Sequence, residues 1–365
     1  MNKKPLIHIT RRKDISFAKS TAIRAAAIIL ALLVCAIITT IVTGLNPFDV
    51  YGSMISASFG TSRRLWMLIQ NMAMLLCFAL ALAPAFRMHF WNLGGDGQAL
   101  VGALAASACM ICLSDILPGP VLILVELVTA VLAGVIWALI PAFFKAKWNT
   151  NETLFTLMMN YVATQVVAYF VIIWENPKGS GNIGIINPNT EAGWVPELFG
   201  NKYLINAIVV ILVTVFMYIY MRYTKHGYEV AVVGESENTA RYIGIKVGKV
   251  VLRTLALSGA ICGLAGFLLS AGTNHTLTTT LADNRGFTAV MVAWLAKFNP
   301  FGMILTSFLI VFLERGAAEI SSTFGLNQAF GDILTGIILF FILGCEFFIN
   351  YHVHFNKPAK KEEEK

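Results

Sequence analysis

Ten apolar runs separated by short polar breaks constrain this chain more than anything else in it. They are Ala25–Thr43, Leu65–Leu82, Ala99–Ser114, Val121–Ile140, Leu154–Trp174, Leu204–Met221, Val250–Ala271, Phe287–Phe298, Gly302–Leu313 and Ile333–Ile349. Most approach the roughly 20 residues that a helix needs to cross a hydrocarbon core. Only 13% of the 365 residues are charged, against about a quarter in soluble domains. The chain therefore reads as an all-α polytopic membrane protein of about ten transmembrane helices, with eight crossings as the alternative. The eighth and ninth runs are short and broken by Asn299-Pro300. They read as two half-depth helices or a re-entrant hairpin, which is tolerated at depth only where protein or a water-filled cavity covers it.

Charge gives an orientation. With ten crossings and the N-terminus inside, 21 of the 27 Lys and Arg residues fall on the inner side. The outer loops hold only Arg63, Arg64, Lys178, Lys202, Arg285 and Arg315. The positive-inside rule then places both termini in the cytoplasm. It also explains the net charge of +7 without invoking nucleic acid. The expected layout is a basic cytoplasmic tail (1–24), a transmembrane domain (25–349) and a charged cytoplasmic tail (350–365), with Lys357–Lys365 read as a disordered charge run. The first apolar run follows a long basic stretch and is long enough to span, so it reads as a signal-anchor. The longest outer loop, Glu175–Tyr203, reads equally well as a docking surface or as a loose connector.

The longest cytoplasmic polar island inside the membrane domain is 222–249. Gly234-Glu235 reads as a turn leading into a short helix, with Ser236 as N-cap, Glu237 in the first turn and Gly244 as terminator. Gly244-Ile-Lys-Val-Gly248-Lys249-Val250 has one residue too few between its glycines for a phosphate loop, and Val where Ser or Thr must reach magnesium. Catalytic signatures and metal-ligand clusters are not found, so no enzymatic role and no metal are expected. Cys109-Met-Ile-Cys112 lies in an apolar run with no His nearby and reads as packing.

Five segments in a fixed order carry a family resemblance. They are the island itself, Phe90–Gln98, Asn151–Tyr161, Leu257–Gly266, and Gly286–Val290 together with Asn299–Gly302. Phe90-Trp-Asn-Leu-Gly-Gly-Asp-Gly-Gln98 departs from the family pattern at Trp-Asn-Leu and at Asp96. The chain resembles ABC-importer permeases for branched-chain amino acids, ribose or nucleosides, and is most similar to the nucleoside branch. The resemblance implies a membrane subunit that binds no cofactor of its own, with ATP bound by a separate ATPase subunit. It also implies a second, homologous permease subunit (a heterodimer) and an extracytoplasmic substrate-binding lipoprotein, all working among membrane lipids. The island would dock on the ATPase through Glu235, Ser236, Glu237, Asn238, Ala240, Arg241, Tyr242 and Gly244. Arg241 offers a bidentate contact that Lys could not copy.

Elementary chemistry supplies readings for the remaining residues. Gly259 and Gly263 share a helix face, with Gly266 close by, which suits close helix packing. Gly94-Gly95-Asp96-Gly97 forces a break, after which Asp96 would cap a helix starting near Gln98. Glu126 would reach the interface or bond a neighbouring helix. Asn71, Asn92, Asp96, Asn160 and Gln165 are the candidates for a substrate path, with interhelical hydrogen bonding as the competing explanation. Amides suit a neutral nucleoside better than a zwitterionic amino acid. A secondary transporter driven by an ion gradient is the alternative of another class, but it would need ionisable groups deep in the helices.

Overall fold

The computed structural model describes residues 7–11 and 16–355. They form strand β1 (Ile7–Arg11), helices α1 (Phe17–Thr43), α2 (Pro47–Phe59), α3 (Ser62–Arg87), α4 (Gly95–Leu113), α5 (Gly119–Trp148), α6 (Glu152–Trp174) and α7 (Leu204–Tyr223), then α8 (Lys225–Glu235), α9 (Glu237–Tyr242) and α10 (Val247–Leu269). A π-helical turn, Ser270–Asn274, extends α10. The chain closes with α11 (Arg285–Leu295), α12 (Pro300–Phe324), α13 (Gln328–Asn350) and strand β2 (Tyr351–Phe355). Among the described residues, nine helices are long and apolar enough to span a membrane, namely α1, α3–α7, α10 with its π turn, α12 and α13.

One expectation is corrected. The ninth run is part of a full-length helix of 25 residues. Glu314, Arg315 and Glu319 cut short its apolar signal, although the Arg315 guanidinium is held by the Ala57 carbonyl at 3.3 Å. The eighth run alone is short: α11 has 11 residues, about 16 Å of helix, roughly half a hydrocarbon core. Within the stretches read as tails one paired element is described. Residues 7–11 and 351–355 form a two-stranded antiparallel ribbon with Ile7 opposite Phe355 and Arg11 opposite Tyr351. Lys357–Lys365 lies outside the described residues.

The chain divides into two units. One holds the described residues up to Thr61 and those from Phe312 onward. In it α1 lies against α13, tied by an Arg24–Glu346 ion pair at 2.6 Å, and Met54 fills the space beside Gly316. The other unit is Ser62–Val311, built around α10, which is wrapped by α3, α4 and α5. The close approach has a local cause. A Cβ on Gly259 would lie 2.3 Å from the Gly134 carbonyl oxygen, and one on Gly263 would lie 2.3 Å from that of Ala130, both on α5. Gly266 faces α4 instead, where a Cβ would meet the Ala99 carbonyl at 2.1 Å.

Candidate functional site

The break between α3 and α4 is stitched into three other helices of Ser62–Val311. The Asn92 side-chain oxygen accepts from the Gly94 N–H (3.0 Å) and from Gln98 (3.3 Å), while its NH2 donates to Ser258 on α10 (3.1 Å). Asn160 on α6 accepts from the Gly97 N–H at 2.8 Å and donates to the Leu93 carbonyl at 2.6 Å. Thr156, one turn earlier, accepts from the Leu93 N–H. A backbone break in an apolar surrounding leaves amides that must find partners, and these side chains supply them.

Asp96 corrects a further expectation. Helix α4 starts at Gly95 with Gly94 as its N-cap, so Asp96 sits inside the first turn. Its Oδ1 accepts the Gly286 N–H at 2.7 Å. The carboxylate therefore caps α11, the half-length helix, at the end where the dipole favours negative charge. Its other oxygen, Oδ2, is buried without a hydrogen-bond partner.

Asn71 lies elsewhere, toward the start of α3, where its oxygen meets the Arg285 guanidinium at 3.5 Å. Beside it Gln70 donates to Thr273 in the π turn at 2.7 Å, and Asn206 of α7 donates to the same hydroxyl at 2.7 Å. Gln70, Asn71, Thr273 and Arg285 border a cavity of about 310 Å³. Gln165 joins neither cluster, standing exposed on α6 between Tyr161 and Tyr169. Of the five path candidates, the fold thus brings Asn92, Asp96 and Asn160 together and leaves Asn71 and Gln165 apart. Gln70, Thr273 and Asn206 escaped the sequence reading, since a lone amide or hydroxyl in an apolar run carries no periodic signal.

The polar island folds as two helices rather than one. Gly234-Glu235 belongs to the end of α8, and the turn falls at Ser236 (φ −165°, ψ 116°). The Ser236 hydroxyl accepts from the Thr239 N–H at 3.2 Å and caps α9. Gly244, at φ +86°, takes the left-handed conformation after it. Ala240 is buried, whereas Glu235, Glu237, Asn238, Arg241 and Tyr242 are exposed, Tyr242 to 92%. Arg241 pairs with Glu237 at 3.4 Å along the helix. Helix α8 is anchored at two points. Gly234 lies so close to the end of α3 that a Cβ would meet the Arg87 carbonyl at 2.1 Å. His226, pushed below its usual pKa chiefly by burial, bridges the Tyr220 hydroxyl (2.7 Å) and Thr254 (3.4 Å).

The loop between α6 and α7 is folded onto the far end of α10. The Trp194 ring stacks on His275 at 3.9 Å, the Ile186 N–H donates to the His275 carbonyl at 2.8 Å, and the Val195 N–H donates to the Ala271 carbonyl at 3.1 Å. Beneath it Glu126 is fully buried with neither oxygen hydrogen-bonded, and a Cβ on Gly193 would lie 2.2 Å from its Oε1. The expectation that Glu126 reaches an interface or bonds a neighbouring helix does not hold. Of the cysteine pair, Cys109 contacts the Thr129 hydroxyl at 3.3 Å and Cys112 is exposed.

Residues 64–343 match the family described as branched-chain amino acid transport system / permease component. Full-length similarity extends to three named proteins. The glucose ABC transporter permease protein TsgB13 of Haloferax volcanii is 27% identical over 89% of this chain and 88% of its own. The guanosine ABC transporter permease protein NupP of Bacillus subtilis is 28% identical over 87% and 91%. The nucleoside ABC transporter permease protein NupB of Lactococcus lactis is 26% identical over 92% and 94%.

Proposed function

Given that the chain belongs to the branched-chain amino acid transport system permease family, we propose that it lines the translocation path of an ABC importer for a nucleoside. A separate ATPase subunit would bind and hydrolyse ATP, a homologous second permease would complete the path, and an extracytoplasmic lipoprotein would deliver the solute. The membrane would be the bacterial cytoplasmic membrane, with α11 and the chain around it making the tenth crossing in addition to the nine long helices, so that both termini lie inside. Membership of this family sets aside the ion-gradient carrier. The observation that carries the nucleoside reading is the pair of relatives named for guanosine and nucleosides, each similar over most of both chains. The glucose permease is equally similar and supports a second reading, import of a simple sugar.

Within this reading Glu235–Gly244 is the segment that docks on the ATPase. A strut fixed by Gly234 and His226, ending in an exposed Arg241 and Tyr242, can pass a push from a partner to α3 and α10 without collapsing. Uptake of labelled guanosine, adenosine, uridine, ribose, glucose and leucine by cells with and without the gene tests the solute. Loss of nucleoside entry on deletion supports the assignment. Loss of glucose or ribose entry with every nucleoside still imported overturns it in favour of the sugar.

A further inference from the structure

The cavity beside the first half of α3 has a chemical character of its own. Its volume, about 310 Å³, lies at the small end of the roughly 300–1,000 Å³ typical of ligand pockets. Gln70, Asn71, Thr273, Thr278, Asp283 and Arg285 line it, and no aromatic ring does. Gln70 is only 4% exposed, and while its NH2 is bonded to Thr273, its carbonyl oxygen has no partner. A buried amide oxygen left unpaired costs on the order of 1–3 kcal/mol, so an acceptor there calls for a hydroxyl or N–H donor. The charges are balanced: Arg285 faces Asp283 at 3.5 Å as well as Asn71. A site with amides and hydroxyls, balanced charge and no ring to stack on suits a neutral polyol. It holds no aromatic platform for a purine or pyrimidine face.

We propose that this cavity is a recognition site for the hydroxyl-bearing face of a furanose, reading the sugar of a nucleoside and ignoring its base. The inference rests on the proposed importer function and names the part of the solute that the permease itself contacts. Its place in the fold fits an entry site. Gln70 and the Arg87 end that meets α8 are both on α3, 17 residues apart, or about 26 Å along the axis. The cavity and the docking segment therefore sit at opposite ends of one helix.

The test compares wild type, Gln70→Leu and Thr278→Val in cells carrying the whole importer. Uptake of uridine, 2′,3′-dideoxyuridine, ribose and 2-deoxyribose is measured at equal membrane levels of the protein. Sites built to bond a substrate hydroxyl reject analogues lacking it. In wild type each hydroxylated solute that depends on the gene should enter at least several-fold better than its deoxy partner. Gln70→Leu should shrink that ratio about tenfold, and Thr278→Val should shrink it less. Equal loss of both members of a pair, with the ratio kept, would mean a merely structural role and overturn the site. If only ribose proves gene-dependent, the nucleoside assignment fails, and because free ribose is chiefly a pyranose the furanose site is then read on methyl β-ribofuranoside against its 2-deoxy analogue, a kept ratio in Gln70→Leu overturning it. If no hydroxylated solute depends on the gene, both ideas fall.

Discussion

Asp96 shows how far a single side chain can reach in this fold. Its neighbours in sequence suggest a cap for the next helix, but its carboxylate satisfies the Gly286 N–H in the first turn of α11, 190 residues further on. Losing an N-cap costs about 0.5–2 kcal/mol. Asp96→Ala should therefore destabilise the purified protein by about that amount, while Asp96→Asn, which keeps an acceptor oxygen, should recover most of it. Thermal unfolding in detergent would check this, and equal losses in the two variants would remove the capping role. His275 makes a second residue-scale case. Burial, reinforced by the Lys202 charge, lowers its pKa. A lowered His pKa means that the neutral form is favoured in the folded loop. The stability it contributes is fully present above the ordinary value of about 6.5 and is lost as pH falls through the depressed value. Proteolytic nicking of 175–203 should accelerate as pH drops from about 7.5 toward 5, and His275→Phe, which keeps the ring on Trp194, should flatten the profile. A wild-type profile already flat over that interval would contradict the assignment.

At the scale of elements, α10 and α5 depend on having no side chain at their crossing. With a Cβ only 2.3 Å from a carbonyl oxygen, neither Gly259→Ala nor Gly263→Ala can be absorbed by rotating a side chain, since the obstacle is backbone. Overpacking of this kind costs about 1–3 kcal/mol. Gly248→Ala on the same helix meets only the Ala146 Cβ at 3.4 Å and should be nearly silent. Unfolding midpoints of the three variants in detergent decide the matter: indistinguishable values would show that the helices can separate. These elements also show what a sequence can and cannot reveal. Spanning helices were legible because apolar length is a local property, and the family because five segments kept their order. Helix α11 was legible as a short, half-depth helix, but α12 was not legible as a full one, because Glu314 and Arg315 interrupt its apolar run and the carbonyl that holds Arg315 comes from elsewhere in the chain. The cavity was illegible for the same reason, since Gln70, Thr273 and Arg285 are brought together only by the π turn and the chain after it.

At the scale of the whole molecule, the issue is how an event at α8–α9 could be felt at the far end of α3. Helix α3 touches α8 through Arg87 and Gly234 and carries Gln70 near its other end. It also contains Pro84, one turn before that contact; proline removes a backbone hydrogen bond and kinks a helix locally. Motion delivered to α8 would thus be applied just beyond a point where α3 lacks one backbone hydrogen bond. Two measurements bear on this arrangement. In a background with the six native cysteines replaced, Ser236→Cys should resist an impermeant thiol reagent applied to intact cells, as the 21-to-6 charge asymmetry requires, and labelling from outside would reverse the orientation. Arg241→Glu then separates docking from stability. The exposed Arg241–Glu237 pair is worth only about 0.3–0.5 kcal/mol, so the variant should fold, insert and reach wild-type levels. If Arg241 meets a carboxylate on the ATPase, charge reversal should nonetheless abolish uptake and leave ATP hydrolysis unstimulated by solute. If it merely reaches lipid headgroups, uptake would persist, and the docking assignment of Glu235–Gly244 would have to be abandoned.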